Sequence, residues 1–146
     1  MTSNSLIEQY GGCVCGSVRF KSLGIPERIT VCHCTWCQRR TGTAFGVETV
    51  FLKNNVQFSG DSMKAHRHYS DETNRWLDMH FCVGCGTNLG LTLEVRSDIR
   101  SVPVGIFDDL EWIASTSSEI RHVYTRSKRH WGDLSSAVET FEAYFR

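Results

Sequence analysis

Seven cysteines hold most of the chemistry this chain can do, and they fall into three tight clusters. Cys13 and Cys15 form a C-x-C, Cys32, Cys34 and Cys37 a C-x-C-x-x-C, and Cys82 and Cys85 a C-x-x-C. An odd number of thiols cannot close into a complete disulfide set, and such spacings belong to metal ligands. Zinc takes thiolates tetrahedrally, so four sulfurs close a structural site and three leave a position for water or substrate. Seven therefore divides as four plus three. Cys82-Val83-Gly84-Cys85-Gly86 reads as a zinc knuckle whose glycines permit the tight turn. Cys13 and Cys15, two apart on a strand, project to one face with Val14 turned into the core. Joined to the knuckle they make a four-cysteine site that ties the start of the chain to its middle and makes metal part of folding stability. Four sulfurs also suit iron.

Cys32, Cys34 and Cys37 bind a single metal locally and leave its shell open. An open position can hold a substrate thiol as thiolate or polarise a carbonyl oxygen, which suits the addition of a thiol to an aldehyde or the reverse C–S cleavage. Cys34, the middle sulfur, is the candidate catalytic residue. His33 is either a fourth ligand or, on an extended segment that points it away from Cys32 and Cys34, a structural neighbour. Arg39 and Arg40 either receive the carboxylates of a small anionic substrate or form a solvated helix face. Trp36 lies inside the cluster and can wall it. The basic run Arg126, Lys128, Arg129 and His130 is either a solvated loop or a surface for nucleic acid or a partner. His66-Arg67-His68 reads as strand surface, and Asp108-Asp109 as a turn or cap.

The elements that must position these groups are mostly short strands. Val14, Val18 and Phe20, then 45–52, are rich in β-branched and aromatic residues. Stretches 64–70 and 74–81 flank the polar Asp71-Glu72-Thr73 and form a hairpin that delivers Cys82. Stretches 89–95 and 99–107 form a second pair around Arg96-Ser97-Asp98, while Asn54-Asn55 and Ser59-Gly60-Asp61 read as turns. A short helix is expected over 36–41, ended by Gly42. A longer one is expected over 134–145, where Leu134, Ala137, Val138 and Phe141 make an apolar face.

With 146 residues, 40 % hydrophobic and 11 % aromatic, the chain reads as one domain over 1–146. Its 16 Lys+Arg balance 16 Asp+Glu. With ionised thiolates and two zinc ions it would carry about −3, so nucleic acid is not the expected partner. No apolar run approaches the roughly 18 residues of a membrane span, and Met1-Thr2-Ser3-Asn4-Ser5 lacks the start of a signal peptide. A cytoplasmic protein is expected.

The chain resembles the glutathione-dependent formaldehyde-activating enzyme and centromere protein V family. The resemblance rests on the stretches 11–20, 32–42 and 81–89, with 104–109 and 122–127 leading to Trp131, and its core spans about 11–131. It implies a mainly β, tent-like fold of short antiparallel sheets, with a structural zinc on Cys13, Cys15, Cys82 and Cys85 and a reactive zinc on Cys32, Cys34 and Cys37. It also implies a carbon-sulfur lyase that joins formaldehyde to glutathione, with glutathione or a related thiol adduct as partner. The centromere-protein branch suggests the alternative, a non-enzymatic zinc-stabilised binding module.

Overall fold

Short runs of β-branched and aromatic residues separated by glycine and polar turns give ten strands and one α-helix among the described residues, which in this computed structural model are 7–115 and 118–132. Strands β1 (Glu8–Gly12), β2 (Arg19–Leu23) and β5 (Val56–Ser59) form one antiparallel sheet in the order β1-β2-β5. Strands β3 (Arg28–Cys32), β4 (Gly46–Leu52), β9 (Ile99–Pro103) and β10 (Glu119–Val123) form a second, in the order β10-β3-β4-β9. Its outer pair, β10 with β3, is parallel. Strands β6 (Met63–Tyr69), β7 (Trp76–Cys82) and β8 (Asn88–Leu93) form the third. The single helix, α1 (Thr35–Thr41), follows β3 directly. The architecture is the expected mainly β one. No helix is long and apolar enough to cross a membrane among the described residues.

The hairpin β6–β7 turns through 70–75, where Asn74 N–H donates to Ser70 O at 2.8 Å, and it ends on Cys82. The expected pairing of 89–95 with 99–107 is corrected: β8 and β9 are both strands but sit in different sheets, with 94–98 handing the chain across. The reason lies at Gly90, whose φ of +91° breaks the extended path. Where a ladder bond would run, Leu91 N–H donates to Ser101 Oγ at 2.9 Å. A Cβ on Gly90 would stand 2.0 Å from Ser101 O. Gly90→Ala is therefore expected to cost about 3 kcal/mol or more, from a strained φ and a backbone clash together. Denaturant unfolding checks this, and an unchanged midpoint would show that β8 can withdraw from β9 freely.

Two apolar clusters form the core. Phe20, Phe51, Val56, Val102, Phe107 and Trp112 make the larger, with Phe20 and Phe107 edge to face at 5.0 Å. The smaller consists of Cys13, Val18, Cys82 and Leu89, so two candidate ligands are themselves core residues. Val14 is corrected as well: β1 ends at Gly12, Cys13–Gly16 is a turn, and Val14 is 89 % exposed. The helix expected over 134–145 lies outside the described residues.

Candidate functional site

Two similar turns, one after β1 and one after β7, carry four of the cysteines. Gly16 N–H donates to Cys13 O at 3.1 Å, and Gly86 N–H to Cys82 O at 2.8 Å. The glycines take φ values of +80° and +78°, a region costly for any other residue. Each glycine precedes a hydroxyl, so that Ser17 Oγ lies 3.0 Å from Cys15 Sγ and Thr87 Oγ1 3.1 Å from Cys85 Sγ. Thr87 Oγ1 also accepts Val14 N–H at 3.1 Å, which fastens one turn to the other. The repeated Cys-Gly-Ser/Thr was readable in the sequence, and its hydroxyls are functional groups that cysteine spacing alone does not reveal.

The four sulfurs lie within 4.8 Å of one another, Cys13 and Cys82 buried, Cys15 and Cys85 exposed. Cys13 Sγ is 3.6 Å from Cys15 Sγ, which is 3.8 Å from Cys82 Sγ. Zinc with sulfur at roughly 2.3 Å sets tetrahedral sulfurs roughly 3.8 Å apart, so the donors fit that ion. Hydrogen bonding favours the thiolate at two of them, Cys85 and Cys13, while their proximity raises Cys15. The Thr87 hydroxyl and N–H pull Cys85 down to about 5. Burial would raise Cys13, but the Val18 N–H, Cys15 and Ser17 bring it down to about 7.

The other three cysteines gather at the junction of β3 and α1, also within 4.8 Å of one another. Cys32 is the last residue of β3, pinned between Gly46 of β4 and Val123 of β10. Cys34 caps the helix: its backbone is extended and its Sγ accepts Cys37 N–H at 3.2 Å. The helix stops at Gly42, φ +70°, as expected. Cys32 and Cys34 sulfurs are 3.4 Å apart. Thiols so close cannot all ionise without a cation among them. The bond between Cys32 and Cys37 lowers Cys32 and, with burial, raises Cys37, while burial also raises Cys34. A divalent cation would resolve that conflict, and no fourth Cys, His, Asp or Glu joins the group among the described residues.

His33 points away from the sulfurs and is not in the group. It is buried, with Nε2 3.0 Å from His122 Nδ1 and its ring stacked on His122. Arg39 is exposed. Arg40 is not on a solvated face: its side chain is 1 % exposed, and its Nη2 donates to Glu48 Oε1 at 3.0 Å and lies 3.6 Å from Cys37 Sγ. Glu48 Oε2 in turn accepts the Ser101 hydroxyl at 3.1 Å. Burial pushes the Glu48 carboxyl up, and Arg40 opposes it. Arg40 is thus committed inward by a carboxylate on β4 that helix periodicity could not reveal. Trp36 stacks on His68 of β6 at 4.9 Å, with Arg40 over its ring at 5.3 Å. Gln38 binds the loop after β10, donating to His33 O and Ser127 O and accepting from Arg129 Nε at 2.8 Å. Arg126 pairs with Glu72, so two cations of the basic run are engaged within the chain. Asp109 caps the next turn by accepting Glu111 N–H.

Among solved structures, a crystal structure of a Rhodobacter sphaeroides protein is similar at a TM-score of 0.56. It is 16 % identical, and the match covers 77 % of this chain and 99 % of that one, a likeness of fold. No curated protein matches the chain. The family model described as glutathione-dependent formaldehyde-activating enzyme matches residues 8–127, a span that includes both cysteine groups and every strand described above. With two sulfur clusters fit for metal ions inside that span, this chain belongs to the glutathione-dependent formaldehyde-activating enzyme family.

Proposed function

We propose that this protein is a zinc-dependent carbon-sulfur lyase that joins formaldehyde to glutathione as S-hydroxymethylglutathione and reverses that step. The observation that carries the reading is the group Cys32, Cys34 and Cys37, three sulfurs with an incomplete shell in a chain of this family. In this reading Cys13, Cys15, Cys82 and Cys85 hold a structural zinc and the group of three a reactive one, two ions per chain. A zinc ion with an open position supplies the positive charge that keeps a substrate thiol ionised near neutral pH.

The chain's own residues arrange the rest. Cys34, half-buried at the start of α1, is the catalytic residue, its sulfur held in the group by Cys37 N–H. Arg40, fixed by Glu48, sets a positive charge beside Cys37 and is a positioning residue. Arg39, exposed on the same helix, receives a carboxylate of the thiol substrate. The Trp36 ring, braced by His68, limits access. Overall one C–S bond forms, the aldehyde oxygen takes up the proton the thiol loses, and no oxidant or reductant is involved. A reducing cytoplasm, which keeps such thiols free, is the compartment this chemistry needs.

Exchange NMR on the zinc-loaded protein with glutathione and formaldehyde tests the reading. Adduct formation is expected to exceed the spontaneous rate, to lose that excess in a folded Cys34→Ser variant, and to need more glutathione in Arg39→Ala. Absence of acceleration with two zinc ions per chain would overturn the glutathione assignment.

A further inference from the structure

A cavity of about 400 Å³ lies across the β6-β7-β8 sheet from the three-cysteine group, and Phe58 and Met63 of its wall also pack against the core cluster of Cys13 and Cys82. Trp76, Asp78 and His80 alternate along β7 and all line it. His68, the cross-strand partner of Leu77, belongs to the opposite face of the same sheet, where it stacks on Trp36. The cavity and the three-cysteine group are therefore separated by the β6-β7-β8 sheet. Phe58, Met63 and Trp76 give the cavity an apolar side, and Lys53, Thr92 and Arg100 a polar one. Its size falls within the roughly 300–1,000 Å³ of small-molecule pockets.

Arg100 is the unusual member. It is 4 % exposed, lies over the Phe58 ring at 4.4 Å, and uses Nη1 on the carbonyls of Leu91 and Ser101. Its Nη2 has no hydrogen-bond partner among the described residues. Burial pulls its pKa down to about 10, which leaves it charged at neutral pH. The acidic groups nearby are hydrogen-bonded elsewhere, Glu48 to Arg40 and Ser101 and Asp78 to Arg67 at 2.9 and 3.1 Å, so that Glu48 acts on Arg100 through its charge but makes no hydrogen bond to it. Lys53 adds a second cation that makes no ion pair among the described residues. A buried guanidinium lacking a full set of partners is costly, and an anion is the partner that offsets the cost.

We propose that this cavity is a binding site for a small monocarboxylate with an apolar body, its carboxylate between Arg100 and Lys53 and its body against Trp76, Phe58 and Met63. Arg100 Nη2 offers a carboxylate one charge-assisted donor and Lys53 a second, and the aromatic wall selects against small hydrophilic anions.

Benzoate is the probe, titrated into the zinc-loaded full chain and followed by amide and indole NMR shifts, with benzamide as the uncharged isostere. Saturable shifts are expected at Trp76, Thr92 and their neighbours, with binding at least roughly tenfold weaker for benzamide. Lys53→Met is expected to weaken benzoate several-fold and Arg100→Met to abolish its binding. If Arg100→Met does not fold, the benzoate–benzamide comparison and Lys53→Met decide. Equal binding of the two probes, shifts confined to 32–40, or no saturation at the cavity would each overturn the proposal.

Discussion

Replacing Cys82 by Ser is expected to abolish cooperative unfolding and to remove one zinc ion per chain. Cys82 is fully buried, packs in one cluster with Val18, Leu89 and Cys13, and lies 3.8 Å from the sulfur of Cys15. A structural zinc contributes an apparent ~10–16 kcal/mol to the folding of a small domain. That is as large as the ~5–15 kcal/mol by which whole domains are stable. Serine at this position offers zinc a poor ligand and also leaves a hydroxyl in an apolar cluster. Thermal unfolding followed by circular dichroism, with the zinc content measured on the same sample, checks both parts. A chelator strong enough to strip both sites should produce the same unfolded chain from the wild type. Cys34→Ser, at the half-buried cap of α1, is expected to lose its zinc without losing the fold. A Cys82→Ser protein that melts cooperatively near the wild-type temperature would remove the four-cysteine group from the account of stability.

The second large effect is expected at Arg40. Its side chain and that of Glu48 are 1 % and 7 % exposed and joined at 3.0 Å. Breaking a buried pair by deleting one partner costs about 3–5 kcal/mol, because the other charge is stranded. Arg40→Met should fall in that range, and the double variant with Glu48→Leu should recover much of the loss. The pH dependence identifies the cause. Burial already raises the Glu48 carboxyl, and removing Arg40 raises it further. A carboxyl whose folded pKa lies above its unfolded one is protonated first in the folded state, so the folded protein binds more protons and loses stability as pH rises. The deficit of Arg40→Met relative to wild type should therefore grow as pH rises above the ordinary carboxylate range. A deficit that does not vary with pH would assign it to lost packing. Arg40→Lys keeps a charge but not the fork, and should restore stability better than it restores the contact with Cys37.

Much of this was legible from local pattern. The knuckle at Cys82, the hairpin that carries it, the short helix ended by Gly42 and the division of sulfurs into four and three all rest on interactions within a few residues, or on ligand number. What escaped depends on partners distant in sequence. Alternation placed Val14 in the core, but the chain turns at Cys13 through the Gly16 N–H to Cys13 O bond, and Thr87, far along the chain, holds the turn by accepting the Val14 N–H. Neighbouring strands 89–95 and 99–107 read as a pair, whereas β9 pairs with β4 and β8 with β7. Arg40 looked like its exposed neighbour Arg39 because the carboxylate that draws it inward belongs to β4. The parallel pairing of β10 with β3, which pins Cys32, has no local signature at all.

The two sulfur groups differ in one further respect. Cys32, Cys34 and Cys37 are neighbours in any conformation of the chain, whereas Cys15 and Cys82 are 67 residues apart and meet only when the sheets have assembled. An ion that the unfolded chain can also hold adds little to the free energy of folding. An ion that can bind only after assembly adds nearly all of its binding energy to folding, because the unfolded chain would have to close a 67-residue loop to hold it. In the two-zinc reading proposed above, zinc supplied to a nascent chain is expected to fill the group of three first. Folding is then expected to depend on free zinc as a process of one ion, although the chain has two sulfur groups fit for metal.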